Sequence, residues 1–197
     1  HMAVVIKGSG TVEGISVGGL PDGIVDTDMI AASAVTAAKR GAGAILQVAY
    51  QYKTSQTQVE SAGAISELDS DLRIDFTPKS ATSKIIMDFD ASYNCKNSTH
   101  LQYALFYDNT NSAGVALPPA KDSRSRVHWS MRTHDYDNND ANHCRMMIAY
   151  DNTSTTLRQY TIHFGTEGVT CEFYSTDLSN SAGQQLPAMF KIMEVAT

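Results

Sequence analysis

The densest group of residues that could do chemistry is a polar stretch in the second half of the chain. It reads HDYDNNDANHC over residues 134–144. Asp135, Asp137 and Asn139 stand at alternate positions, as at the start of a calcium loop, because a hard cation prefers several oxygen ligands. The EF-hand pattern then fails, since Asp140 stands where glycine is required and Met146 replaces the bidentate glutamate.

Three interpretations of this stretch stay open. It is a looser calcium site, a site for a softer transition metal built from His134 and His143 with Cys144 as an optional further ligand, or a solvated turn that touches a receptor. No other cofactor is expected from the sequence. The candidate metal ligands are Asp135, Asp137, Asp140, His134 and His143.

Aromatic side chains in polar surroundings suggest carbohydrate binding. A sugar ring offers an apolar face for an aromatic ring and hydroxyls for neighbouring polar groups. Trp129 is the single tryptophan, and it is read as a core anchor, a trimer contact or a receptor contact. The candidate receptor-binding residues are Trp129, Tyr136, Tyr107, Tyr93, Arg132, Asn138 and Asn139.

Catalytic patterns are poor along the whole sequence. It contains no G-x-S-x-G, H-E-x-x-H or Walker sequence. Asp88 and Asp90 form the nearest approach to a glycosidase pair, but they are expected to point together into solvent from one face of one strand. The sequence therefore predicts a protein that is not an enzyme.

Composition excludes several classes of partner. Fifteen Lys and Arg against 21 Asp and Glu give a net charge of −6, and nucleic-acid binding needs a basic surface. No apolar run approaches the ~18 residues of a membrane span, so membrane insertion is not expected. Three widely spaced cysteines, an odd number, favour free buried thiols and folding in a reducing cytoplasm.

From Ala44 onward the signals are those of strands. Apolar and polar residues alternate over short runs separated by polar loops, which predicts an all-β fold, an antiparallel β-sandwich or jelly roll. The predicted strands are 45–52, 68–76, 84–93, 101–107, 126–133, 145–150, 157–164, 169–174 and 189–195. Loops on such a scaffold tend to carry binding residues. The long polar loops are Asn94–Thr99, Asp108–Ser125, His134–His143, Asp151–Thr156 and Ser175–Gln185.

The first 43 residues differ from the rest. They are rich in Gly, Ala, Val and Thr, contain no aromatic residue, and cannot bury a core alone. We expect residues 1–43 to form a stem that associates with copies of itself, and residues 44–197 to form the β-sandwich head. A short helix over Thr27–Arg40 is the alternative for part of the stem. His1 and Met2 are interpreted as a tag remnant.

A sequence pattern around the boundary is similar to that of a known family. Gly23-Ile24, Thr27, Ile30-Ala31, Ala34-Val35-Thr36 and Lys39 precede a Gly/Ala hinge and the run Ile45–Val48. This stretch resembles the fibre-to-head junction of tail fibres from tailed bacteriophages, especially marine and cyanobacterial ones. The runs TPKSATSKII and FKIMEVA resemble the strand pair and the closing strand of such heads, whereas residues 94–185 match nothing in them.

The resemblance implies a homotrimeric fibre tip that follows an upstream fibre shaft and binds a bacterial surface glycan such as lipopolysaccharide. It also implies a place in the virion, at the tip of the tail fibre, after folding in the host cytoplasm. Two other functions stay open: a monomeric, lectin-like carbohydrate-binding module of a bacterial protein, and a small glycan-degrading enzyme. Deletion of residues 1–43 separates the first two, since a monomeric module keeps its stability without them.

Overall fold

The chain separates into two compact units, residues 1–39 and 40–197. The computed structural model describes residues 5–6, 12–13, 35, 39–54, 57–62, 64–95, 101–123, 125–132, 142–173 and 187–197. In the first unit, β1 (Val5–Ile6) pairs antiparallel with β2 (Val12–Glu13). The alternative helix over residues 27–40 lies almost entirely outside the described residues.

The second unit is all-β, as the sequence predicts. Its strands are β3 (Ile45–Lys53), β4 (Thr57–Ala62), β5 (Ser66–Glu67), β6 (Ile74–Phe76), β7 (Lys84–Cys95), β8 (Leu101–Asp108), β9 (Ala113–Gly114), β10 (Trp129–Arg132), β11 (Asn142–Asp151), β12 (Arg158–Phe173) and β13 (Ala188–Val195). One 3-10 turn, Ser70–Leu72, interrupts them. No helix among the described residues is long and apolar enough to span a membrane.

The strands form two antiparallel layers in a sandwich-like arrangement. In the first sheet the order is β11, β7, β13 and β3. The second sheet has β10 and β9 along one side of β8, and then β12 with β5 and β6. Strand β12 belongs to both layers. Its first half pairs with β8 of the second sheet, and its last residues lie between β4 and the end of β7 in the first sheet.

Period-two alternation accounts for the core. In β7, Ile85, Met87 and Phe89 are fully buried and the residues between them are partly exposed, as the sequence predicts. In β13, Phe190 and Ile192 are likewise buried. These side chains meet Phe106, Ile162 and Phe164 of the second sheet in one hydrophobic cluster between the layers.

Three predicted strand boundaries are corrected by the structure. The predicted strand 68–76 is broken by the 3-10 turn, where Asp69 accepts a hydrogen bond from the Asp71 amide at 2.9 Å. The two predicted strands 157–164 and 169–174 are one strand, which continues through a register shift between Glu167 and Val169. Strand β4 is absent from the predicted strands.

The cysteines also differ from expectation. Cys144 is free and buried, as predicted. Cys171 is disulfide-bonded, which corrects the expectation of free thiols throughout. Its partner across the strand ladder is Cys95, and such direct opposition comes from the pairing of β12 with β7, which spacing along the sequence does not reveal.

Candidate functional site

The sandwich has two different ends. Residues 40–44 join β3 beside the end of β13, where the Gly43 amide donates to the Ala196 carbonyl and the Ala196 amide to the Ala44 carbonyl, both at 2.8 Å. The last residues of β8 and β11 and the first residues of β12 lie at this same end. We call it the proximal end and the opposite one the distal end.

The positions of the first and last residues of the strands show at which end of the sandwich each predicted loop begins. The ladder brings Tyr93 of β7 opposite both Asn142 of β11 and Phe173 of β12, at the distal end. The strand ends that flank the loops Asn94–Thr99, His134–His143 and Ser175–Gln185 are therefore distal. The loops Asp108–Ser125 and Asp151–Thr156 leave their strands at the proximal end.

A cleft lies on the second sheet toward its distal end. Its volume is about 360 Å³, within the ~300–1,000 Å³ range of small-molecule sites. Strands β8, β10 and β12 and the segment that leads into β10 line it. The lining residues are Leu101, Tyr103, Ser125, Val127, Ser130 and Glu167.

A glycine shapes the wall of this cleft. Gly165 of β12 is the ladder partner of Tyr103 of β8. A Cβ atom at position 165 would lie 2.3 Å from the Tyr103 Cε2 atom, closer than side-chain atoms approach in proteins. The tyrosine ring therefore lies over the bare backbone of Gly165, and any side chain there would displace the ring.

The rim of the cleft carries two opposite charges. The Arg132 Nη2 and Glu167 Oε2 atoms are 3.9 Å apart, and both side chains are about half exposed. Glu167 Oε2 also accepts a long hydrogen bond, 3.4 Å, from the Leu101 amide. Exposed pairs at this distance are weak, so both charged groups remain accessible to a ligand.

Two predicted receptor residues lie on the second sheet at solvent-accessible positions. Arg132 stands at the rim of the cleft. Tyr107, farther toward the proximal end, stacks on His163 with ring centroids 3.8 Å apart and an interplanar angle of 15°. Burial lowers the pKa of His163 against the raising effect of the Glu67 carboxylate, which favours the neutral imidazole in this stack.

Tyr93 is not on the surface, which corrects its assignment to receptor binding. The side chain is fully buried, stacks on Phe173 at 5.2 Å and donates to Gln102 Oε1 at 3.2 Å. Its polar sequence neighbours suggested exposure. However, Tyr93 belongs to the inward-facing residues of β7, and Gln102 supplies the partner that a buried phenol requires.

Trp129 also packs on the core. Its ring meets Tyr93 edge to face, with centroids 5.7 Å apart, and it is only partly exposed. This is the core-anchor interpretation among the three that the sequence left open. Only the exposed part of the ring is accessible to another molecule.

Most of the predicted metal ligands lie outside the described residues, as do three of the predicted receptor residues. The residues concerned are His134, Asp135, Asp137, Asp140, Tyr136, Asn138 and Asn139. His143 is described and lies on the outer face of the first sheet, with Nε2 3.2 Å from Asp90 Oδ1. Within the described ranges, no three metal-binding side chains come together.

Cys144 cannot act with His143 on one metal, so it is excluded as the further ligand of the transition-metal interpretation. Adjacent residues of a strand point to opposite faces, and Cys144 points into the core with no exposed surface. Burial raises the pKa of its thiol, which disfavours the thiolate that a metal binds.

The proximal end holds a dense polar network around Glu194. This carboxylate is fully buried and accepts hydrogen bonds from the amides of Lys79 and Ser80, from the Ser83 hydroxyl and from the Gln47 side chain, at 2.7–2.9 Å. Burial alone would raise the pKa of Glu194, but these hydrogen bonds hold it below its ordinary value. A carboxylate with four donors has no capacity left for a ligand.

The polar groups that line a second, smaller cleft at the proximal end are also paired with one another. Its volume is about 190 Å³. The buried Asp108 carboxylate there accepts from Arg158 Nη1 at 3.1 Å and from the Asn111 side chain at 2.7 Å. The Tyr150 and Tyr160 hydroxyls bond to each other at 3.0 Å. Its polar groups satisfy one another, so the distal cleft is the better candidate for a binding site.

The sequence did not single out three residues of the distal cleft, Tyr103, Ser130 and Glu167. Tyr103 stands in an apolar strand and was indistinguishable from a core residue. The available signal was the pairing of a large aromatic residue with a strand glycine, Gly165, which often marks a close approach.

Comparisons with known proteins identify no family. No family model matches the sequence, and no curated protein is similar to it. Among solved structures, the chain is similar to one of infectious bursal disease virus, Gx strain, with 9% identity, a TM-score of 0.39, and coverage of 77% of this chain and 37% of that one. It is similar at the same TM-score to the infectious bursal disease virus VP2 subviral particle, with 8% identity and coverage of 77% and 38%.

A further similar structure is the Eiger TNF from S. frugiperda. It has 8% identity and a TM-score of 0.39, and the match covers 76% of this chain and 93% of that one. The chain thus spans little more than a third of the viral chains that it matches. Likeness at this level carries no argument about function.

Proposed function

We propose that this chain is the distal receptor-binding part of a trimeric bacteriophage tail fibre, which adheres to a glycan of the host-cell surface such as lipopolysaccharide. The proposal includes an upstream fibre shaft, adhesion without chemical conversion, and action outside the cell at the tip of the fibre. A disulfide-bonded Cys171 suits a protein that works in an oxidising environment.

The separation of the two ends carries the proposal. The N-terminal segment leads into the sandwich at the proximal end, where polar groups are satisfied internally. The open cleft, its exposed charges and the strand ends of three polar loops are distal. A fibre tip needs this arrangement, because attachment and binding must take place at opposite ends.

The chemistry of the distal cleft suits a glycan. The small exposed part of the mostly buried Tyr103 ring, a hydroxyl from Ser130 and the charged pair Arg132–Glu167 can contact an apolar sugar edge, its hydroxyls and an acidic substituent. A single site of this kind binds weakly. Three linked copies gain roughly 10²–10⁴ in avidity if they engage one surface together.

An array of bacterial surface glycans, probed with the intact chain, tests the proposal. We expect binding to a restricted set of glycans, and at least tenfold weaker binding by Ser130→Trp, whose added ring fills the cleft from an exposed position. Leu157→Trp is the matched control, because Leu157 is exposed at the proximal end. Failure to bind any bacterial glycan, or equal binding by both variants, would contradict the proposal.

A further inference from the structure

The outer face of the first sheet, formed by β11, β7, β13 and β3, exposes large apolar side chains. Seven large hydrophobic residues are exposed in the described part of the chain, and five of them lie on this face. Tyr50, Tyr52 and Met147 are 66%, 59% and 67% exposed. The five residues are Ile45, Val48, Tyr50, Tyr52 and Met147. We call this surface the apolar face.

Strand register shows that these residues are neighbours. The ladders align the outward residues of the four strands in rows that cross the sheet. Two adjacent rows, read from β3 through β13 and β7 to β11, are Tyr50–Lys191–Asp88–Met147 and Val48–Met193–Ile86–Ala149. The exposed side chains therefore belong to one continuous surface, and contiguous apolar patches of this kind mark interaction sites.

The charges on the apolar face cancel. Lys191 pairs with Asp88 at 3.3 Å, and Lys84 pairs with Asp151 at 2.6 Å. Asp90 lies 3.8 Å from Arg145. The three basic and three acidic residues therefore give this face no net charge. His143 lies at its margin. A highly charged partner finds no complement here, whereas a second copy of the same face meets no repulsion.

The size of the face fits a protein interface. Four strands about 4.8 Å apart, each contributing about eight residues at about 3.4 Å, cover roughly 500 Å². Covering this face on two molecules removes roughly 1,000 Å² of surface, the size at which specific association becomes possible.

The position of β3 favours another copy of the chain as the partner. Strand β3 begins at Ile45, directly after the expected stem of residues 1–43 in the sequence. If the stems of several copies associate, the continuous chain brings the first residues of their β3 strands toward one another. This step rests on the proposed function. In addition, β3 pairs only with β13 within the described residues, so one of its edges lacks a neighbouring strand in the sheet.

We infer that copies of this chain associate through the apolar face, which a second copy covers in the assembled protein. Tyr50 and Tyr52 on β3 and Met147 on β11 are its most exposed apolar contacts, and the Lys191–Asp88 pair lies between Tyr50 and Met147 in the middle of the sheet. Burial of large tyrosine and methionine side chains at the centre of a contact is typical of specific interfaces.

Sedimentation equilibrium of the intact chain tests this inference. The wild type is expected at a multiple of 21.4 kDa, and the double variant Tyr52→Lys/Met147→Lys at 21.4 kDa, because like charges then meet in the contact. Leu157→Lys/Thr155→Lys is the matched control, since both of its sites are exposed at the proximal end, outside the apolar face. A monomeric wild type, or an undiminished mass for the Tyr52→Lys/Met147→Lys variant, would overturn the inference.

If the Tyr52→Lys/Met147→Lys variant does not fold, the oxidation rate of Met147 in the wild type still tests the contact. Oxidation of Met147 by dilute peroxide should be slowed several-fold at concentrations where the protein is associated, because the contact buries this side chain. Equal oxidation rates at concentrations where the protein is monomeric and where it is associated would place the contact elsewhere.

Failure of this inference and failure of the proposed function give different results. A monomeric chain that binds bacterial glycans contradicts the apolar-face contact and leaves glycan binding intact. If the wild type is a multimer that binds no glycan, and the Tyr52→Lys/Met147→Lys variant is monomeric, the result supports the contact and contradicts the receptor-binding role. A mass of two copies supports the contact and contradicts the trimer.

Discussion

The proximal and distal ends of the sandwich use their polar groups in opposite ways. At the proximal end, Glu194 accepts four hydrogen bonds and the Asn152 side chain donates to the Ser80 and Ser154 carbonyls. Among the described distal residues, Arg132 and Glu167 form a loose pair beside an open cleft. One end fixes the chain where it enters the domain, and the other leaves polar groups accessible. Four predictions test this contrast.

The largest effect is expected from Glu194→Ala. It removes the acceptor for two amides, a hydroxyl and a side-chain amide in a buried site, and each unsatisfied group costs ~1–3 kcal/mol. We expect a loss of about 3 kcal/mol in the free energy of unfolding, measured by urea denaturation at one protein concentration. Glu167→Ala at the distal end is the control and should cost less than about 1 kcal/mol. Similar losses in the free energy of unfolding for Glu194→Ala and Glu167→Ala would contradict the contrast between the two ends.

The same carboxylate should make stability depend on acid. Because the pKa of Glu194 is lower in the folded protein than its ordinary 4.5, the unfolded chain binds the proton more readily. Its contribution is complete above the unfolded value and is lost as the pH falls through the folded value. The stability difference between the wild type and Glu194→Gln should therefore narrow below pH 4.5. If the stability difference between the two proteins stays constant as the pH is lowered, ionisation of Glu194 does not contribute to stability.

A smaller effect is expected from Gly165→Ala, which probes the wall of the distal cleft. The new methyl group would clash with the Tyr103 ring, and overpacking of this kind costs ~1–3 kcal/mol. Displacement of the ring should also weaken glycan binding in the array. Gly41→Ala is the control, since its added Cβ would meet no atom within 4 Å. Equal stability of both variants would mean that Tyr103 moves without cost.

The smallest effect on stability is expected from Arg132→Ala. An exposed charge 3.9 Å from its partner contributes little, so the free energy of unfolding should change by less than about 0.5 kcal/mol. Binding of an acidic glycan should nevertheless weaken roughly tenfold, as a charged hydrogen bond is worth ~1.5–3 kcal/mol. Lys121→Ala removes an equal, exposed charge outside the cleft lining and should leave binding unchanged. A large loss of stability for Arg132→Ala would give this residue a structural role.

The fold class was predictable because alternation is a local signal. The runs at 45–52, 84–93 and 101–107 all lie within strands, since β-branched and aromatic residues at every second position suit a half-buried sheet. The interruption at Ser70–Leu72 was missed, because a short carboxylate that caps a turn is compatible with an alternating pattern. The continuous β12 was missed because alternation is interrupted where the strand shifts register between Glu167 and Val169.

The candidate site was less predictable, since it depends on which face of each strand points inward. Arg132 was anticipated and lies at the cleft. Tyr93 was assigned to the surface from its polar neighbours, yet the ladder turns its side chain into the core. The cleft residues Tyr103, Ser130 and Glu167 come from three strands that are distant in sequence, so no local pattern connects them.

The sequence by itself determined that this chain is an all-β protein with a mildly acidic, low-charge surface, because both properties follow from composition and from the period of two. Tertiary structure alone decided which end of the sandwich receives the chain and which holds the open cleft. It also decided that Tyr50, Tyr52 and Met147 share one exposed face, because pairing between distant strands sets their positions. Alternation assigns the side chains of β3 to two faces, and only the pairing of β3 with β13 places Val48, Tyr50 and Tyr52 on the exposed face.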